Sequence, residues 1–438
     1  MKRLSILAVG LVVTGITILA SADRICAAPQ EDLSPQAVSL VGVASISGET
    51  LDLSGLHQQL LPEVDTDFDE FKPETKFTND MLGGISAIAW AGEGDLYWCL
   101  SDRGPLDGAV AWDCRVQQIR ITLVNGEDNQ PPKIATKLVR TVLLRDQRGI
   151  PFTGLASAFC ATHDRTSRLD PEGIRVAANG NLIISDEYGP RIIEFTSDGQ
   201  MVREFVMPRH LLVERLSVSW TTENLANSMG RPCNRGMEGL AVSADGKHLY
   251  GLMQSPLLQD SNRKRPEKPT GVNCRLPVFS SAGTFCSEYL YQLENRSNKL
   301  NEILACGDDR FITIERDGRG GANAKFKKLM LISTSKASDI HGLERLSEQE
   351  IATGIEAVQK RVFIDLLDPE WKLAGEQMPE KIEGLAFGPN FPNGDRLLLI
   401  ASDNDFVSTN PTQIYLFRVS ATAFENSPRL SRAVSALH

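Results

Sequence analysis

The chain has 438 residues, 42% of them hydrophobic and 23% charged, with a formal net charge of −10 at pH 7. So acidic a balance excludes a surface made to neutralise a nucleic-acid backbone. A single N-terminal stretch is apolar for long enough to cross a bilayer, which excludes a multispanning membrane protein as well.

That stretch, from Leu4 to Ala20, follows Lys2 and Arg3 and gives way to small residues at Ala27 and Ala28, the layout of a secretory signal peptide. No basic stop-transfer cluster follows, so cleavage near Ala28 is favoured over an uncleaved anchor. The expected organisation is a signal over residues 1–28 and one domain over 29–438, secreted or periplasmic and free of the membrane once cleaved. Cysteines stand at 26, 99, 114, 160, 233, 274, 286 and 306. Export permits up to three disulfides among those beyond the signal, and Cys99 with Cys114 and Cys274 with Cys286 are near enough in sequence to staple local loops.

A strand-like run, AVSLVGVASI, begins at Ala37. Residues 56–80 read as an insertion holding DTDFDEF, where Glu70 stands at the glycine position of an EF-hand, so a solvated acidic loop is expected. A phrase then recurs along the chain. It runs GGISAIAWAGEGDLYWCLSDRG from Gly83, DPEGIRVAANGNLIISDEYGP from Asp170, MEGLAVSADGKHLYGLMQ from Met237 and IEGLAFGPNFPNGDRLLLIASDND from Ile382.

Each copy holds two short apolar runs around a turn pair: Glu93-Gly94, Asn179-Gly180, Asp245-Gly246 or Asn393-Gly394. These are hairpin signals, so Glu172 and Asp186 should emerge at one end of a hairpin, as should Glu383 and Asp403. In the first copy Asp102 lies opposite Gly84, and in the third Met253 or Gln254 lies opposite Glu238. Residues 255–285, with SNRKRPEKPTG, read as a mobile loop in preference to a cationic lid. DIHGL reads as a degenerate copy with His341 in place of the glutamate. Helical spacing is confined to residues 208–216 and 341–350, and QIYLFRVS near residue 413 is placed to pair with the early AVSLVGVASI strand.

Repeated hairpins of this kind predict an all-β fold, a β-propeller of six or seven blades with irregular insertions, closed by pairing of late with early strands. A tandem of β-sandwiches is the alternative. In a propeller the first strand of each blade lines the channel, where Gly after Glu permits close approach of backbones. Glu172, Glu238 and Glu383 would then ring one mouth, with Asp102, Asp186, Glu187 and Asp403 around them. Two carboxylates about 5 Å apart repel by roughly 3 kcal/mol at an effective dielectric of 20, so such a ring needs protons, arginines or a cation. Hard oxygen ligands point to a divalent cation, calcium over magnesium. Arg103, Arg191, Arg235 and Arg316 lie beside the acids and supply the competing, purely structural reading.

Other chemistries lack their residues: Ser86 has no GxSxG elbow, no P-loop or dinucleotide fingerprint occurs, and His163 and His210 are isolated. The four phrases, with FITIERDGRG between the last two, resemble in order the motifs of the phytase-like family described by esterase-like activity of phytase, over about residues 38–420. That resemblance implies a secreted propeller with esterase or phosphoester hydrolase activity. Its second motif corresponds to Glu172, Asp186 and Glu187, its third to Glu238, and its ERD-type motif to Glu315, Arg316 and Asp317. Gln254 departs from the acidic close usual in the third motif.

The expectation is a metal-assisted hydrolase of phosphoesters or other esters. Glu172, Glu238 and Glu383 hold the cation, with Asp102, Asp403 and Glu315 as further ligand candidates. Asp186 or Glu187 is the general base, and Arg191, Arg235 or Arg316 holds an anionic group. The expected partner is a small anionic or ester substrate, with no nucleic acid, and the protein is expected to be a monomer. A calcium-dependent lactonase, suggested by a looser resemblance in the Glu-Gly phrase, and a non-catalytic ligand-binding propeller are the alternatives.

Overall fold

The computed structural model describes residues 37–63, 77–124, 132–158 and 168–424. The expected signal peptide, the DTDFDEF segment, Cys160 and His163 lie outside the described residues. The strand β1 (Val38–Ile46) is followed by a small pair, β2 (Gln59–Leu60) and β3 (Phe77–Thr78). One meander follows with β4 (Ala87–Trp90), β5 (Leu96–Leu100), β6 (Arg115–Val124) and β7 (Lys133–Leu143). A second has β8 (Pro171–Val176), β9 (Leu182–Asp186), β10 (Arg191–Phe195) and β11 (Met201–Glu204). The third comprises β12 (Met237–Val242), β13 (His248–Met253), β14 (Asn273–Ser280) and β15 (Phe285–Gln292). In the fourth are β16 (Lys299–Gly307), β17 (Arg310–Arg316), β18 (Lys327–Ser333) and β19 (Gln359–Asp365). Last come β20 (Lys381–Asn390), β21 (Arg396–Asp403) and β22 (Thr412–Val419).

Each meander is a four-stranded antiparallel sheet, and β20, β21 and β22 complete theirs with β1. The fold is a propeller of five blades, which corrects the expected six or seven. Length misleads because the chain spends it on connections, such as residues 205–236 and 334–358, and not on further strands. His341 sits in the last of these, so DIHGL starts no blade and residues 341–350 form no helix. Helix α1 (Trp220–Ala226) forms instead, with Ser219 Oγ accepting from Thr222 N at 3.3 Å as its N-cap. The early and late strands do pair: Val38 faces Val419 and Ile46 faces Thr412.

The turn pairs work as hairpin turns because their glycines take left-handed backbone, φ being 82° at Gly180, 70° at Gly246 and 87° at Gly394. Every blade is covered on both faces by its neighbours, which is why β21 reads as an unbroken apolar run. Leu398 and Ile400 pack into the cluster shared with the fourth blade, Leu397 and Leu399 into the one shared with the first. The same alternation separates the cysteines. Cys99 belongs to the cluster between the fifth and first blades and Cys114 to that between the first and second. Cys274 is buried while Cys286 is exposed. The six described cysteines are free thiols, so neither expected staple forms.

Candidate functional site

The strands β4, β8, β12, β16 and β20 stand side by side around the channel. In four of them a β-bulge interrupts the pairing at the start: between Pro171 and Gly173, Met237 and Gly239, Leu300 and Ile303, and Ile382 and Gly384. A bulge re-aims the extra residue out of the ladder. The residues so placed are Glu172, Glu238, Asn301 and Glu383, and Ser86 occupies the matching position ahead of β4. The glycine after each glutamate is demanded by crowding: a Cβ on Gly239 would stand 2.8 Å from Glu302 Cα and from Ile303 N.

All five ring residues are buried. Asn301 Nδ2 donates to Glu238 Oε1 at 2.8 Å and to Glu383 Oε1 at 3.1 Å, and Arg316 Nη2 donates to Glu383 Oε1 at 2.6 Å. Three ring oxygens, Ser86 Oγ, Glu238 Oε2 and Asn301 Oδ1, are buried without a hydrogen-bond partner. Burial, then Glu238, Asp170 and Glu187, hold the Glu172 carboxyl well above the ordinary range. Glu238 is raised likewise, by burial, then by Glu187 and Glu383, with the Gln254 amide acting the other way.

Further along β8, Arg175 spans the channel, donating to Ile88 O at 3.3 Å and to Ile303 O at 2.6 Å and pairing with Glu302 at 3.0 Å. Glu302 accepts from Leu240 N and Ile303 N as well. Its carboxyl is raised to about 7 by burial, against the pull of Arg175. Arg175 thereby ties β8 to β4 and β16 across the channel.

Two carboxylate groups flank the ring, each with oxygens within 4.8 Å of one another: Asp170, Glu172 and Glu187 on one side, Asp102, Asp403 and Asp405 on the other. Either arrangement of hard oxygens is one that a metal ion can occupy. Arg103 pairs with Asp170 at 2.5 Å and stands 3.8 Å from Glu187, yet Glu187 Oε1 stays without a partner. Burial raises Asp170 to about 7, Arg103 opposing and Glu187 adding. Lys381 reaches Asp403 at 3.5 Å and also pairs with Asp405. These residues border a cleft of about 320 Å³ that Glu380 and Asn410 also line.

The structure therefore brings Glu172, Glu238 and Glu383 together, with Glu187, Asp102, Asp403 and Arg316 around them. Asp186 does meet the start of β8, pairing across from Pro171. It is spent there, accepting from Asp170 N at 2.9 Å, Tyr188 N at 3.1 Å and Arg191 Nε at 2.6 Å. Arg191 is thereby committed too. Glu315 lies within the fourth blade, accepting from Glu294 N, Asn298 Nδ2, Tyr291 Oη and Lys360 Nζ. Arg235 is half-buried, and its guanidinium makes no hydrogen bond or ion pair among the described residues.

Sequence reading misses Asn301 and Asp170, and it sets Ser86 aside for want of a nucleophile elbow. Asn301 sits in LNEIL, seven residues before Asp308 in a turn followed by the strand FITIER, so turn counting would have located it. Its glycine is replaced by Glu302, which hides the phrase.

A family model described as phytase-like, esterase-like activity of phytase, matches residues 80–406. An uncharacterised secreted protein of Arthroderma benhamiae is 28% identical over 450 residues, covering 79% of this chain and 87% of that one. Among solved structures, a luciferin-regenerating enzyme is similar at TM-score 0.34 and 10% identity, covering 77% of this chain and 92% of its own. Virginiamycin B lyase of Staphylococcus aureus is similar at TM-score 0.31 and 11% identity, covering 77% and 96%. Among the described residues no helix is long and apolar enough to cross a membrane.

Proposed function

The chain belongs to the phytase-like family described by esterase-like activity of phytase, and from that membership we propose an exported ester hydrolase, assisted by a divalent cation at the ringed mouth. The observation that carries the proposal is the set of three buried, unpartnered oxygens, Ser86 Oγ, Glu238 Oε2 and Asn301 Oδ1, standing among buried carboxylates. Unmet acceptors beside raised carboxyl groups fit a cation, whereas a finished salt-bridge network would leave none. Glu172, Glu238 and Glu383 would hold it, with Ser86 and Asn301 as neutral oxygen ligands. Many oxygens, some neutral, suit calcium better than magnesium. A divalent cation there supplies Lewis-acid polarisation of an ester oxygen.

The protein's own groups divide the remaining work. Glu187 Oε1, buried and without a donor, is the carboxylate oxygen that takes a proton from the attacking water. Asp186 is not, since backbone amides and Arg191 occupy it. Arg316 fixes Glu383 through its 2.6 Å bond, and Arg175 holds the inner strands β4, β8 and β16 together beside the ring. Secretion or release to a periplasm follows from the signal-like N-terminus and agrees with the secreted relative.

Elemental analysis of the purified protein, with a screen of aryl phosphate, aryl carboxylate ester and phytate in the presence and absence of calcium, tests the reading. Bound calcium that is lost in Glu238→Gln, together with calcium-dependent turnover, is expected. Neither bound calcium nor magnesium, and no hydrolysis after metal addition, would sink it.

A further inference from the structure

The carboxylate ring has a cationic counterpart at the same mouth. Arg235 lies in the turn entering β12, its backbone N–H bonded to Pro232 O at 3.2 Å, three residues before the ring member Glu238. Lys299 opens β16, two residues before the ring member Asn301. Lys299 Nζ donates to Ser255 Oγ at 2.8 Å, its one hydrogen bond among the described residues. No carboxylate oxygen there stands within ion-pair distance of either cation.

The backbone sets the two cations side by side. Gln254 N–H donates to Gly236 O at 2.9 Å and Leu300 N–H donates to Gln254 O at 3.1 Å, so Arg235, Ser255 and Lys299 stand on three neighbouring segments. Two half-buried cations side by side, neither in an ion pair, repel each other at a cost that an anion bound between them would offset. Every other arginine at the mouth has a partner: Arg103 holds Asp170, Arg191 holds Asp186 and Arg316 holds Glu383.

A planar guanidinium fork, an ammonium and a hydroxyl together present the donors that a tetrahedral oxyanion accepts. A neutral ester could accept a hydrogen bond from them but brings no charge to pair with either cation. We propose that Arg235, Lys299 and Ser255 Oγ form an oxyanion subsite at the channel mouth, which takes a phosphate-type dianion and sets it against the carboxylate ring. The name substrate for its ligand rests on the hydrolase reading; the binding itself does not.

Calorimetric titration of the calcium-loaded mature protein with inorganic phosphate tests this. Binding is expected, weakened at least tenfold by Arg235→Gln and by Lys299→Gln and lost in the double variant, with calcium affinity near the parent's and a melting temperature equal to the parent's or above it. Lys299→Arg should recover most of the loss, which separates charge from folding. Wild-type protein that binds no phosphate, or a double variant that binds it equally well, overturns the subsite. Should aryl esters be cleaved while phosphate binding ignores both variants, the subsite falls and the hydrolase reading stands. Should phosphate bind as expected with no ester cleaved, the subsite stands and the hydrolase reading falls.

Discussion

Asn301 is the residue on which the ring turns, because one amide donates to the carboxylates of the inner strands on both sides of it, Glu238 and Glu383. Replacing it by aspartate removes the two donated bonds and adds a charge beside Glu238 and Glu383. Without a cation, Asn301→Asp should lower the melting temperature by several degrees, since each added repulsion at this range is about 3 kcal/mol before relaxation. With calcium, the extra ligand charge should reverse the loss, so that the calcium-induced rise in melting temperature exceeds that of the parent. Scanning calorimetry in chelator and in calcium decides it: a calcium response no larger than the parent's would argue against a cation in the ring. The three glutamates were legible in the sequence because a glycine follows each. Asn301 and Ser86 were not, because Glu302 and Ala87 stand where that glycine is expected. Glu315 and Asp186 show the opposite limit. An acid beside a strand can satisfy backbone amides and a cation as readily as face a channel, and the bonding partners that decide this come from distant segments.

The hairpin was the most readable element, since its turn chemistry and its two apolar runs are both local in sequence. Its two kinds of glycine do different jobs. Gly246 needs left-handed backbone at 70° in open space, while Gly239 has ordinary φ and lacks room, with Glu302 Cα and Ile303 N at 2.8 Å from an added Cβ. Asparagine tolerates left-handed backbone, so Gly246→Asn should cost about 1 kcal/mol or less. Gly239→Asn would drive β12 from β16 and should cost about 1–3 kcal/mol or more. Denaturant titration of the two variants separates conformational from packing demand, and equal losses would contradict the close approach of the inner strands. Blade number was not readable in the same way. A four-stranded blade and its connections have no fixed length, and the fourth blade's inner strand carries Asn301-Glu302 in place of the Glu-Gly phrase. Strand alternation likewise placed Cys99 and Cys114 on opposite faces of the first blade, against what their separation suggested.

For the whole molecule, closure joins the ends while the channel gathers charge. Pairing of β1 with β22 hides the last sheet edge, and pairing of late with early strands was foreseeable because both runs are strand-like and sit at opposite ends of the chain. The cost of the gathered charge was foreseeable in sign only. Burial, more than any other cause, raises Asp102, Asp170 and Glu302 each to about 7. A carboxyl raised in the folded state binds its proton more tightly there than in the unfolded chain, so between about pH 4 and 7 the folded state holds more protons. Stability then falls as pH rises through that window, with no further loss from these groups above it. Metal-free protein should therefore melt higher at pH 5 than at pH 8. A divalent cation favours the ionised carboxylates, so calcium should stabilise most at pH 8 and flatten the profile. Melting temperatures across pH 5 to 8, in chelator and in excess calcium, test both halves. A chelated protein that gains stability as pH rises would show that arginines already compensate the mouth, and a calcium response equal at both pH values would place the bound ion away from the raised ring carboxyls Glu172 and Glu238.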